Sequence, residues 1–334
     1  MVTINSKDLA PLGLIRPDQK VGSGYVHLEV AGGCLSASSG DTQQSLRLRL
    51  AVEGEDHWRA TLPPVFLEVL SLCGEEVELE PQESGVKLKS GGFSAYLVGV
   101  SSEEYDFSYQ EVQGQSLKIE ADELKKALET VLFAAGNAGL NPAYGAVMLS
   151  DHAVATNGYQ AAFYRLSGEL PGITLPVESA KNLVRLLGEG QVRVTWNDHA
   201  VQFENGNLTY QSSRFHLPFP DWKSILPQEL RADLVLDRKK TLEGLRALKG
   251  LEAERVRVSV DGDQAVLEAE GPNGSGRIGV PVEGQCKKAW VIAQKYLYET
   301  LDAVEEKAQV QLGERTLSLW DGAYRAVVAL MKDE

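Results

Sequence analysis

Apolar and polar residues alternate strictly in three short runs near the middle of the chain. Val192 to Trp196, Val201 to Phe203 and Leu208 to Tyr210 each have a period of two, and Asn-Asp and Asn-Gly pairs separate them. This period predicts strands joined by tight turns. Before them, Pro176 to Leu187 places leucines at helical spacing and follows a short apolar run at Ile173 to Leu175. We therefore predict a strand, a helix and three antiparallel strands.

The same order of elements recurs along the whole sequence. A first helix after Ser6 is expected to be short or distorted, because Pro11 and Gly13 interrupt it. Further helices are predicted at 64–73, 121–135, 237–249 and 294–304, each followed by short alternating strands. This pattern predicts an α+β fold made of three copies of one domain, each consisting of two half-units. The predicted domain boundaries are 1–113, 114–229 and 230–334.

Composition places the chain among globular proteins of the cytoplasm. Of its 334 residues, 43% are hydrophobic and 24% are charged, and no apolar run is long enough to cross a membrane. The N-terminus has no signal-peptide pattern. Three widely spaced cysteines, Cys34, Cys73 and Cys286, favour buried thiols in a reducing compartment over disulfides, and they have no metal-ligand spacing. We therefore predict a cytoplasmic protein that binds neither membrane nor metal.

The formal net charge of −14 argues against a protein that grips nucleic acid with its whole surface. Basic residues nevertheless concentrate on the predicted helices, which would make one surface locally positive if the helices share it. The alternative is that they are ordinary solvated helix faces. The residues concerned are Lys125, Lys126, Lys181, Arg185, Arg238, Lys239, Arg246 and Lys295.

No arrangement of residues indicates catalysis. The five histidines are scattered, and the chain contains no G-x-S-x-G, no Walker-type G-x-x-x-x-G-K and no G-x-G-x-x-G that opens a helix. The glycine-rich run from Gly271 to Gly276 lies between predicted strands and is better explained as a hairpin turn. We predict that the protein is not an enzyme and carries no cofactor.

Three sequence motifs resemble those of bacterial sliding clamps, the β subunit family of DNA polymerase III. Phe219 to Pro227 (FPDWKSILP) is similar to the family's F-P-D-Y-x-x-(V/I)-(L/I/F)-P, which closes the middle domain. Val154 to Ala161 (VATNGYQA) resembles V-A-T-D-G-H-R-L, and Ala323 to Met331 resembles the family's C-terminal strand A-Y-V-V-M-P-M-(R/K)-L. By order of elements, the resemblance covers the whole chain.

The resemblance implies a head-to-tail homodimer that forms a ring around double-stranded DNA. In such a ring the helices line the hole, so the basic helix residues named above would face the DNA and hold its phosphates loosely while the ring slides. It also implies a clamp loader and a DNA polymerase as partners, bound through short linear peptides. The alternative function is a clamp-fold interaction protein that binds or regulates replication proteins without encircling DNA.

The resemblance also implies two contact sites. A peptide-binding pocket between domains two and three would have an apolar groove that takes a leucine or phenylalanine from the partner. Its residues would be Thr156, Gly158, Tyr159, Gln160, Ala161, Pro227, Val327, Val328, Leu330 and Met331. The alternative is that Gly158 makes a turn and the valines belong to the core. Phe107 and Leu248 are placed at the dimer interface by position.

The sequence departs from the family pattern at the implied pocket. Asn157, Tyr159, Gln160 and Ala161 stand where the family usually has Asp, His, Arg and Leu. The chain is also shorter than typical clamps, mainly near Ile15 to Gly24. These departures imply a diverged clamp, such as a second or mobile-element copy, with its own peptide preference.

Overall fold

Short strands make up most of the fold. A computed structural model describes residues 1–15, 24–54, 56–100, 109–226 and 229–333. In the first half of the chain the strands are β1 (Val2–Asn5), β2 (Val26–Ala31), β3 (Cys34–Gly40), β4 (Gln44–Ala51), β5 (Trp58–Leu62), β6 (Glu76–Gln82), β7 (Gly85–Ser90), β8 (Phe93–Val98), β9 (Gln115–Glu120), β10 (Ala146–Leu149), β11 (His152–Thr156) and β12 (Gln160–Arg165). In the second half they are β13 (Ile173–Pro176), β14 (Gln191–Trp196), β15 (Ala200–Asn205), β16 (Leu208–Ser213), β17 (Leu234–Asp237), β18 (Arg255–Asp261), β19 (Gln264–Gly271), β20 (Gly274–Gly284), β21 (Trp290–Ala293), β22 (Lys307–Leu312), β23 (Thr316–Asp321) and β24 (Tyr324–Ala329).

The helices follow the predicted positions but are shorter. The described α-helices are α1 (Val65–Ser71), α2 (Ala121–Val131), α3 (Val177–Leu186), α4 (Arg238–Lys249) and α5 (Gln294–Asp302). The first predicted helix is instead a 3-10 helix, Ser6–Leu14, because Pro11 inside it has no amide hydrogen to donate. The end of the helix predicted at 121–135 is also a 3-10 turn, Leu132–Ala134.

The predicted repeat of half-units is confirmed by the element order. Six times along the chain, one strand is followed by one helix and then by three strands. The first strand of each half-unit pairs with a strand of the neighbouring half-unit. In this way β1 pairs with β6, and β5 pairs with β2. The same exchange joins β9 to β14 and β13 to β10, and then β17 to β22 and β21 to β18. Each pair of half-units is therefore interlocked by its backbone hydrogen bonds.

In each half-unit three strands follow the helix, and we call the last of them the third strand. Pairing between the third strands of two half-units joins the small sheets into larger ones. Strand β4 pairs with β16 in an eight-stranded sheet, and β12 pairs with β24 in a twelve-stranded sheet. Cross-strand neighbours are apolar at both junctions, with Tyr210 opposite Leu46 and Ala161 opposite Val327. A separate four-stranded sheet has the order β1-β6-β7-β8 and ends at β8.

The chain forms two compact units. Residues 1–122 with 182–214 contain the four-stranded and eight-stranded sheets, and residues 123–181 with 215–334 contain the twelve-stranded sheet. In both units the inward side chains of the strands are aliphatic and buried, as the period of two predicts. The division into three domains at 113 and 229 follows other boundaries and stays a prediction.

Two further points concern the cysteines and the helices. Cys34, Cys73 and Cys286 are unpaired and each is partly exposed, so the prediction of buried thiols was wrong. Cys34 begins β3, and Cys73 and Cys286 lie outside helices and strands, so none of the three lies inside a strand or helix that packs on the core. Within the described residues, no helix is both long and apolar enough to cross a membrane.

Candidate functional site

The basic residues predicted to face DNA differ in how far their charge is already compensated. Arg238 donates from Nη2 to Oδ1 of Asp302 at 3.0 Å and to the carbonyl of the same residue at 2.8 Å. Lys181 lies 2.7 Å from Glu178 on the same helix. Both cations are therefore partly neutralised by their own chain.

Lys126 is compensated in the same way. Its Nζ lies 2.7 Å from Oε1 of Glu305, and this hydrogen bond raises the pKa of the lysine and lowers that of the glutamate. Lys125 is half-buried, whereas Arg185 and Lys239 are exposed, and none of these three forms an ion pair with a described residue. No described carboxylate therefore neutralises these three cations.

Helices α4 and α5 pack against each other and carry the densest group of cations. Arg246 donates from Nε to the hydroxyl of Tyr298 at 3.0 Å, and its guanidinium lies 5.6 Å from the centre of that ring. Arg246 and Tyr298 line a cleft of about 850 Å³, and Lys249 and Lys295 line it as well. Glu299 lies 3.8 Å from Lys295, so the cleft carries charges of both signs.

The hairpin between β11 and β12 is shaped by its own side chains. Oδ1 of Asn157 accepts from the amides of Tyr159 and Gln160, both at 2.9 Å, and Oγ1 of Thr156 accepts from the amide of Gly158 at 3.1 Å. Gly158 has a φ of +88°, a left-handed value that favours glycine. The turn predicted for Gly158 is thus present.

The predicted pocket residues on β11, β12 and β24 divide between the two faces of the sheet. Ala161 and Val327 pack in one apolar cluster, and Thr156 shares that face because it lies two residues from Val154. Gln160 and its cross-strand neighbour Val328 lie on the opposite face, towards α5. There, Gln160 donates from Nε2 to Glu299 at 2.9 Å.

A segment that follows β16 covers the Ala161 face. Trp222 packs on this cluster, with its ring 5.8 Å from that of Phe163 and 5.2 Å from that of His152. Met148, Phe219 and Leu226 are partly buried around the cluster. We call this group the Trp222 groove, after the groove that the sequence predicts here: its buried residues are Val154, Ala161, Phe163, Trp222 and Val327, and Met148, Phe219 and Leu226 pack against them. Of this group, Ala161 and Val327 were among the pocket residues chosen by sequence, and the others, like His152, were not.

Tyr159 presents an aromatic surface at the turn. Its side chain is 62% exposed, and its ring is nearly parallel to that of Tyr296 on α5, with centroids 6.3 Å apart and an interplanar angle of 16°. The carbonyl of Tyr159 accepts from the amide of Ala329 at 2.8 Å, which ties the turn to the end of β24. An exposed aromatic pair of this kind is suited to stacking against a partner's side chain.

Leu330 and Met331 are not part of the Trp222 groove. They line another cavity, together with Trp290 and Arg315, and Met331 forms an isolated bridge with Val291. Pro227, the last residue of the predicted pocket, lies outside the described residues.

The residues predicted for the dimer interface are covered or outside the described chain. Phe107 lies outside the described residues, and Leu248 is only 4% exposed because it packs within its own unit, close to Gly276. Among the described strands β8 pairs only with β7, so its other edge is open, and Phe93, Tyr96 and Val98 are exposed there. Strands were predicted after the helix at 64–73, but only the strand order shows that β8 ends a sheet.

A second open edge lies on β20. Its residues 282–284 pair with β17, but residues 274–281 pair with β19 alone among the described strands. A β-strand edge presents unpaired amide and carbonyl groups, which favour pairing with another strand.

Comparison with known proteins finds several of similar sequence. No family model matches it. It is 22% identical over 308 residues to the β sliding clamp of Synechococcus elongatus, a match covering 84% of this chain and 82% of that protein. It is 21% identical over 192 residues to the β sliding clamp of Bacillus subtilis, where the match covers 54% of this chain but spans only half of that protein's length.

A solved structure extends the likeness to the whole chain. The crystal structure of the DNA polymerase III subunit β from Pseudomonas aeruginosa superposes with a TM-score of 0.88 at 21% identity, covering 99% of this chain and 100% of that one. The fold is therefore that of the bacterial sliding clamps. In sequence the chain is similar, at 21–22% identity, to β sliding clamps.

Proposed function

We propose that this protein is a DNA sliding clamp: two copies close into a ring around duplex DNA and tether the replicative polymerase to it. The observation that carries the proposal is the pattern of third-strand pairing. Within the chain β4 pairs with β16 and β12 with β24, so the third strand of one half-unit meets the third strand of another. By the same rule β20 would meet β8, since among the described strands these are the third strands of half-units that pair with no other third strand.

Pairing of β8 in one copy with β20 in a second copy satisfies both edges. Such a contact is head-to-tail, and two of them close a dimer if the rotation between copies allows it. The exposed Tyr96 and Val98 would then be covered, which removes apolar surface from water. The dimer interface we propose is therefore the pair of sheet edges, and Leu248 lies close to one of them, beside Gly276 of β20.

DNA would be held by topology and not by tight binding. The exposed cations on the helices, such as Arg185, Lys239 and Arg246, can neutralise phosphates without contacting base edges. The net charge of −14 keeps the rest of the surface from binding DNA non-specifically. Partner peptides from a polymerase and a clamp loader would bind at the Trp222 groove and stack on Tyr159. The protein would act in the cytoplasm and would catalyse no reaction.

Retention on DNA circles tests the proposal. The protein is loaded onto a nicked circular plasmid with its host's clamp loader and ATP, then passed through a sizing column before and after the plasmid is cut once. A sliding clamp stays with the circle and leaves the cut ends. Retention on linear DNA contradicts a ring, and a monomer at micromolar concentration in sedimentation velocity would favour a clamp-fold protein that does not encircle DNA.

A further inference from the structure

A cavity of about 840 Å³ lies at the end of the twelve-stranded sheet, outside the Trp222 groove. Three segments form it: residues 285–291 before and within β21, the β22–β23 turn at 312–315, and the residues after β24 at 330–333. We propose that this cavity is a second docking site, which binds an acidic linear peptide through one large apolar side chain.

Backbone hydrogen bonds hold the three segments in place. The amide of Leu330 donates to the carbonyl of Arg315 at 2.8 Å, and the amide of Met331 donates to the carbonyl of Val291 at 2.8 Å. Oδ2 of Asp233 accepts from the amide of Leu312, also at 2.8 Å. The walls are therefore formed before any partner arrives, which lowers the entropy cost of binding.

The interior of the cavity is apolar. Trp290, Leu312, Leu330 and Met331 contribute to its lining, and Met331 is 41% exposed. A solvent-exposed concave surface of this kind is suited to one leucine-sized or phenylalanine-sized side chain from a partner. Duplex DNA offers phosphates but no such side chain, so the lining favours a peptide.

The rim of the cavity is basic. Lys287, Lys288, Arg315 and Lys332 line it, all four are exposed, and none forms an ion pair with a described residue. The rim's acidic groups are largely engaged, since the carboxylate of Asp233 accepts a backbone amide.

Two other acidic residues line the rim. Asp333 forms an ion pair with Arg257, whereas Glu314 is exposed and forms no ion pair with a described residue. Four unpaired cations against one unpaired carboxylate leave an excess of positive charge around the apolar floor, which selects a peptide that places aspartates or glutamates on both sides of its apolar residue.

Cys286 lies within the proposed site and can report peptide binding by chemical labelling of its thiol. It is partly exposed and lines the cavity, whereas Cys34 and Cys73 do not line it. The probe is a ten-residue peptide with a central Leu-Phe, four flanking acidic residues and a bromoacetyl group on its N-terminus. On binding, the thiolate of a nearby cysteine displaces bromide and forms a thioether. The product is located by mass spectrometry of the digested protein.

The expected result is preferential labelling of Cys286. Relative to labelling by free bromoacetamide, the acidic peptide should favour Cys286 over Cys34 and Cys73 by at least about tenfold. Two matched peptides, one with lysines in place of the acidic residues and one with Gly-Ser in place of Leu-Phe, should lose this preference. Equal labelling of the three cysteines, or equal labelling by the lysine peptide, overturns the proposal.

Charge reversal on the rim separates this site from the Trp222 groove. Lys288→Glu with Arg315→Glu should reduce Cys286 labelling by at least about tenfold, whereas Lys118→Glu with Lys223→Glu, which changes the net charge equally, should leave it unchanged. Thermal unfolding checks that each variant is folded. A last comparison uses two competitors of Cys286 labelling by bromoacetamide: a 20-base-pair duplex and the acidic peptide without its bromoacetyl group. If the duplex protects Cys286 better than this peptide does, the site binds nucleic acid and the proposal is wrong.

Discussion

Gly158 lies at the tip of the β11–β12 turn, where two restrictions act on one residue. Its φ is +88°, and a Cβ built on it would lie 2.5 Å from the hydroxyl of Tyr144. Gly322, in the β23–β24 turn of the same unit, also has a positive φ (+55°) but nothing within 4 Å of its Cβ position. A side chain at Gly322 would therefore meet only backbone strain, whereas a side chain at Gly158 would meet the same strain and a steric clash as well.

We expect Gly158→Ala to destabilise the protein by about 2–4 kcal/mol and Gly322→Ala by about 1 kcal/mol, because only the first substitution adds a clash to the unfavourable φ. Urea unfolding followed by circular dichroism measures both values. Equal losses would show that Tyr144 moves aside without cost.

His27 is half-buried on β2. Its Nδ1 lies 2.9 Å from Oγ1 of Thr61, and burial lowers its pKa to about 4. Since the folded pKa lies below the unfolded value of about 6.5, the unfolded state binds the proton more strongly between these values. Stability is therefore lost as the pH falls from about 6.5 towards 4.

After a discount for solvent screening, His27 should account for about 1–2 kcal/mol of the stability lost between pH 7.5 and pH 5.0. His27→Gln should reduce this loss, and His57→Gln, at an exposed position, should not. Urea titrations at both pH values give the comparison. An unchanged loss in His27→Gln would contradict the assignment.

At the scale of elements, α4 carries the strongest basic contribution to the proposed lining. Arg246→Glu with Lys249→Glu should weaken binding to a 30-base-pair duplex at low salt by about tenfold and should lower the slope of log K against log salt by about 1–2. Fluorescence anisotropy at several salt concentrations measures both.

The control for α4 is a pair of strand residues. Arg59→Glu with Lys118→Glu changes the net charge by the same amount at exposed positions on β5 and β9. If this pair weakens binding as much as the α4 pair does, the effect is one of net charge and the lining assigned to α4 is wrong.

Elements with strong local signals were predictable from the sequence. The alternation at Val192 to Trp196 and the helix before it were placed to within one or two residues, because periodicity and turn residues act over short distances. The weak first helix was also expected from Pro11, although the 3-10 geometry was not.

The candidate site was less predictable because it depends on contacts between distant residues. Periodicity shows that Gln160 and Ala161 point to opposite faces of the sheet. It does not show that β12 pairs with β24, which is about 160 residues further along the chain, or which face of that sheet Trp222 covers. Likewise, nothing local in Leu330 and Met331 indicates that they turn towards Trp290 and away from the groove.

At the scale of the whole molecule, the edge of β8 is where we propose that a second copy pairs. Val98 is 61% exposed at this edge, and a lysine there would place a charge where the proposed partner strand packs. We expect Val98→Lys to weaken the dimer by at least about tenfold without unfolding the chain. Sedimentation velocity across a range of concentrations measures the shift from dimer to monomer.

Leu72→Lys is the matched control for Val98→Lys. Leu72 is 83% exposed in the turn after α1 and lies on no sheet edge. Both variants add one positive charge and remove one apolar side chain. A similar weakening by both would point to general electrostatics, and no weakening by either would place the dimer contact elsewhere.

The position of β24 has a consequence for synthesis. Among the described strands it is the last along the chain, yet it lies inside the twelve-stranded sheet between β12 and β23. The ribosome must therefore release β12 long before its neighbour exists, and its edge stays open while about 160 residues are translated. A nascent chain in this state is a natural client for a chaperone, and slower translation after β12 would lengthen the time during which it can aggregate.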